Sequence, residues 1–88
     1  MDRSQEFIAG AGNVEAPCIA VLERLGFVVT REVSGGMEEW VAMRKDLHLR
    51  ADSPLKLLGL YSMRQHRGAD WKPTEAEVES MLNRMSTK

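Results

Sequence analysis

The sequence predicts an α+β domain of two layers, a three-stranded antiparallel meander covered on one face by helices, in the order α-β-β-β-α-α. Three observations carry this expectation. Residues 27–51 hold three short runs rich in β-branched or alternating apolar residues, broken by turn residues. The segments on either side repeat apolar residues at helical spacing. Pro17, Pro54 and Thr74 stand where helices begin, and Gly26 and Gly68 where they end.

Residues 1–13 read as a flexible N-terminal arm punctuated by Gly10, Gly12 and Asn13, which docks through Phe7. Residues 14–85 read as the single α+β domain. Its first helix runs from Val14 or Glu15 to Leu25. Cys18, Val21, Leu22 and Leu25 fall at i, i+3, i+4 and i+7, on one face. Pro17 sits in the first turn, where its missing N–H matters least. Gly26 suits a left-handed cap.

Residues 27–33 are the first strand, and Ser34-Gly35-Gly36 is the turn, since paired glycines reach positive φ without steric cost. Residues 40–45 return as the second strand and residues 47–51 as the third. Leu47, Leu49 and Ala51 alternate toward the core, leaving His48 and Arg50 on the open face. Trp40, Ala42 and Arg44 share one face of the second strand and Val41 and Met43 the other, so one of these sets is less buried.

Asp52-Ser53-Pro54 places a capping side chain before a proline at the first helical position. That helix carries Leu57, Leu58, Leu60 and Tyr61 and stops at Gly68. Thr74-Glu75-Ala76-Glu77 is a capping box opening the last helix, whose stripe is Val78, Met81, Leu82 and Met85. The expected core is Val21, Leu22, Leu25, Val29, Val41, Met43, Leu49, Leu57, Leu58, Tyr61, Val78 and Leu82.

A helix, three antiparallel strands and a helix is similar to the element order of double-stranded-RNA-binding domains. Those domains grip phosphates with a lysine-rich start to the helix after the third strand. The matching stretch here, Asp52-Ser53-Pro54-Leu55-Lys56, has a single lysine, so RNA binding is not carried over.

Composition bounds the function classes. The chain has 88 residues, 43% hydrophobic and 28% charged, which supports one core. Its single cysteine allows no intrachain disulfide, and the N-terminus lacks a charged start followed by an apolar run, so the cytoplasm is the expected compartment. Apolar runs are too short to cross a membrane. Net charge is −1 but unevenly spread: residues 1–43 hold three basic and seven acidic side chains, and residues 44–72 hold seven basic and three acidic.

No catalytic constellation, metal site or cofactor is expected. Cys18, His48 and His66 lack ligand spacing. Cys18 sits on the apolar face of a helix, where a thiol is inert. Glu38 and Glu39 project to opposite faces of a strand. The leading expectation is a non-enzymatic protein-binding or accessory module whose partner is another protein or a second copy. Its binding residues would be Arg64, Arg67 and Trp71, with Lys72 at the rim, because arginine and tryptophan are enriched at binding hot spots. The competing reading makes Trp71 an anchor folded over the core edge, with the arginines balancing Asp70 and nearby glutamates. The alternative is a weak nucleic-acid binder using the basic segment 44–72. A small-ligand pocket or enzyme comes third.

Overall fold

The computed structural model describes residues 5–10 and 12–86. Helix α1 spans Glu15–Arg24, strands β1, β2 and β3 span Val28–Ser34, Met37–Arg44 and Leu47–Ala51, and helices α2 and α3 span Pro54–Arg67 and Glu75–Met85. The strands form one antiparallel sheet in the order β1-β2-β3. The order and class are those the sequence predicts. The first strand starts and ends one residue later, and the second begins at Met37 rather than at Trp40, because Gly35 and Gly36 at φ 58° and 80° close a two-residue hairpin.

Local signals explain the boundaries. The Asn13 side chain accepts the Glu15 and Ala16 amides at 3.0 and 3.3 Å and starts α1. Gly26, at φ 97°, ends it. Ser53 accepts the Lys56 amide at 3.2 Å ahead of Pro54, and Glu15 reaches across to accept the Leu55 amide at 2.9 Å. The starts of α1 and α2 are thereby tied together.

Helices α1 and α2 cover one face of the sheet. The core is Leu22, Phe27, Ala42, Leu49 and Leu57, with Leu25, Val29, Trp40, Leu47, Ala51, Leu58, Leu60 and Tyr61 packed around it. Register places Val29, Trp40, Ala42, Leu49 and Ala51 on the helix side. The second strand therefore buries the set containing Trp40, Ala42 and Arg44.

Four members of the expected core are exposed instead. Met43 lies on the open face of the sheet, and Val21 lies at the edge of the α1 stripe. Val78 and Leu82 are exposed because α3 buries none of its residues. Phe7, the expected anchor of the arm, is 90% exposed, so the arm does not dock through it. Residues 1–4 and Ala11 of that arm lie outside the described residues. Val41 is 1% exposed although it is on the open face. Arg50, its cross-strand neighbour on β3, reaches Glu39 on β2 at 2.8 Å and Glu32 on β1 at 3.0 Å. Its guanidinium therefore extends across the central strand on the face that carries Val41.

Two outcomes follow from this packing. Leu57 is fully buried at the centre of the core, so Leu57→Ala should cost ~2–5 kcal/mol in denaturant unfolding as a cavity mutation. A loss under ~0.5 kcal/mol would place that helix face outside the core. Thr74→Ala removes an N-cap worth ~0.5–2 kcal/mol to α3. Since α3 buries nothing, circular dichroism should lose helical signal while the unfolding midpoint reported by Trp40 stays fixed. A shifted midpoint would show that α3 belongs to the cooperative unit.

Candidate functional site

The strand register determines which backbone groups are free. Lys45 and Asp46 form a two-residue connection, so Arg44 and Leu47 make the first hydrogen-bonded pair of the β2–β3 ladder. Pairs alternate from there, and Ala42–Leu49 and Trp40–Ala51 are the next bonded ones. His48 and Arg50 therefore turn their backbone N–H and C=O groups away from β2, along the free edge of β3.

A groove of about 420 Å³ runs along this edge, lined by Leu47, His48, Leu49 and Arg50 of β3, Leu60 and Arg64 of α2, and Trp71. Four consecutive strand residues point alternately to opposite faces. A groove that touches all four follows the strand edge rather than either face. Trp71 is half-buried as the wall opposite β3, and Leu60 forms an apolar floor shared with the core.

The four residues singled out by sequence divide. Arg64 and Trp71 come together in the groove. Among the described residues no carboxylate lies within ion-pairing distance of Arg64. Its positive charge still helps hold the Asp46 carboxyl below its ordinary range, behind the larger effect of the Arg44 hydrogen bond. Arg67 turns elsewhere. It donates to the Lys72 carbonyl at 3.1 Å and to Glu77 Oε1 at 3.0 Å. The same Oε1 accepts the Thr74 amide at 2.9 Å, completing the capping box. These bonds, the Thr74 amide first, hold the Glu77 carboxyl below its usual range. Arg67 thus clamps the 68–74 loop and positions Trp71. Lys72 is exposed outside the groove.

The β3 contribution is not among the residues that the sequence singles out, since alternation sets His48 and Arg50 on the open face of the sheet. The available signal was topological: the last strand of a meander has one free edge.

Other candidates carry less chemistry. Cys18 is buried, and burial pushes its thiol pKa up, with a smaller push from Glu15. No three His, Cys, Asp or Glu side chains among the described residues gather as a metal-ligand set. No helix among them is long and apolar enough to cross a membrane. Much of the basic segment already has acidic partners: Arg44 with Asp46, Arg50 with Glu32 and Glu39, Lys56 with Asp52, and Arg67 with Glu77. Compared with known proteins, the chain matches no family model, no curated protein and no solved structure.

Proposed function

We propose that this chain is a non-enzymatic protein-binding module that receives an extended segment of a partner protein in the groove beside β3. The observation that carries the reading is the groove itself. Its lining combines His48 and Arg50, whose backbone groups turn away from β2, with Arg64 and Trp71. A partner strand would satisfy the open edge by β-augmentation, with backbone bonds supplying affinity and side-chain contacts supplying selectivity. Arg64 would take an acidic side chain by a charge-assisted bond, and Trp71 would cover an apolar one.

The alternative, nucleic-acid binding through residues 44–72, requires cations free to meet phosphates. Arg44, Arg50, Lys56 and Arg67 would have to leave carboxylate partners first. This weighs toward a protein partner.

Selection of displayed random peptides against the full chain tests the reading. Enriched peptides should carry an acidic residue, shift the amide resonances of His48 and Arg50, and bind Arg64→Ala and Trp71→Ala more weakly by at least ~1 kcal/mol each. Binders indifferent to both substitutions would move the site elsewhere. Steeply salt-dependent retention on a polyanion, abolished by reversing Lys45 and Lys72, would instead favour the nucleic-acid reading.

A further inference from the structure

Helix α3 presents an apolar stripe that no other element among the described residues covers. Val78, Met81, Leu82 and Met85 are 40%, 55%, 53% and 71% exposed, and α3 buries no residue. Scattered exposed apolar side chains are normal, but these four are contiguous at i, i+3, i+4 and i+7 on a capped helix. Its polar residues say what fits against it. Glu75, Glu77 and Glu79 occupy the first half and Arg84 the last turn. Glu77 and Arg84 flank the stripe on the same side as Met81, while Glu75 and Glu79 flank it beside Val78 and Leu82.

We infer that this stripe is covered by α3 of a second copy, packed antiparallel about a twofold axis between Met81 and Leu82. The stripe is self-complementary in that arrangement. Val78 meets the second copy's Met85, and Met81 meets its Leu82, so each larger residue faces the other's seam. Flanks on the same side also meet, which sets Glu77 of each copy against Arg84 of the other. Glu77 spends Oε1 on the Thr74 amide and Arg67, so its Oε2 is directed to neither. Antiparallel packing also opposes the two helix dipoles. A parallel pair would stack six glutamates at one end and force both domains onto that end. The antiparallel pair puts the domains at opposite ends of a helix about 16 Å long.

The contact is small. Two helices of three turns bury less than the ~1,200 Å² at the low end of stable interfaces, so the dimer is a weak one that forms at high protein concentration. It uses a surface separate from the groove beside β3, and its failure would leave that reading intact.

Sedimentation equilibrium of the full chain should show mass rising with concentration from 9.9 kDa toward twice that value. Met81→Asp should raise the dissociation constant by at least tenfold, and Arg84→Glu should raise it by a smaller factor. Neither should change the unfolding midpoint of the monomer. Orientation is read by mixing Val78→Cys with Met85→Cys under oxidation: the mixed disulfide should dominate over either homodisulfide. A chain that stays monomeric up to millimolar concentration, or a dimer unaffected by Met81→Asp, overturns the inference. So does a predominance of homodisulfides. If Met81→Asp lowers the monomer's unfolding midpoint, the stripe packs within one chain, and the inference also fails.

Discussion

Arg44 holds the two layers together where the hydrophobic core runs out. Its guanidinium lies 4.6 Å from the centre of the Phe27 ring and 5.6 Å from that of Tyr61. It donates to the Leu25 carbonyl at 2.8 Å and to Asp46 at 2.8 and 3.3 Å. Phe27 and Tyr61 themselves meet edge to face, with ring centres 5.6 Å apart. One side chain on β2 thus contacts the end of α1, the start of the sheet and the middle of α2. The Leu25 carbonyl stands at the C-terminus of α1, where backbone acceptors lack helical partners and attract cations. A lysine would supply the charge without the planar fork that stacks on rings and bonds two acceptors at once. The groove depends on this arrangement, because the position of α2 over the sheet determines how far Leu60 and Arg64 stand from the edge of β3.

That role explains what the sequence shows and what it hides. The strands are legible because alternation in Leu47-His48-Leu49-Arg50-Ala51 and the Gly35-Gly36 pair each admit few alternatives. The face of β2 is not. Met37 through Arg44 carries apolar residues on both faces, and an arginine reads as a solvent-side residue until two rings and a helix end are known to surround it. Of Val41 and Met43, both in the expected core and both on the open face, only Val41 is buried. Its cross-strand neighbour on that face is Arg50, whose two carboxylate partners lie on two other strands. Arg31 and Glu38 form a further ion pair on the other face, near the hairpin end, and Val28 and Met43 pair, exposed, at the opposite end of the open face.

The candidate site was legible in two of its members. Arg64 and Trp71 stand seven residues apart across a helix end, and the chain reversal brings them together. Nothing local distinguishes Arg64 from Arg67. The difference is position along α2: Arg64 stands a turn before the helix end, beside the β3 edge, whereas Arg67 is the last helical residue and reaches the loop that leads to the Thr74 cap. The capping box was visible as a pattern, but its carboxylate serves a second partner that no pattern encodes.

The last helix separates periodicity from burial. A stripe at i, i+3, i+4 and i+7 states that a helix has an apolar face, and leaves open what covers that face. Helices shorter than ~12–15 residues are marginal in water without packing, and α3 has 11 residues and no buried side chain. Its order in a lone chain therefore rests on the Thr74–Glu77 box, the glutamates at its positive end and the Arg67 clamp. Those interactions act at the first turn and fade toward Met85, so fraying should grow along the stripe. A surface that covers Met81, Leu82 and Met85 then does two things at once: it removes apolar area from water and it stabilises the turns that the cap does not reach. Part of the gain from that contact offsets the entropy of ordering those turns, so affinity falls below what the buried area alone would supply. The same coupling makes the contact sensitive to the cap, since weakening Thr74 raises the ordering cost that association must offset.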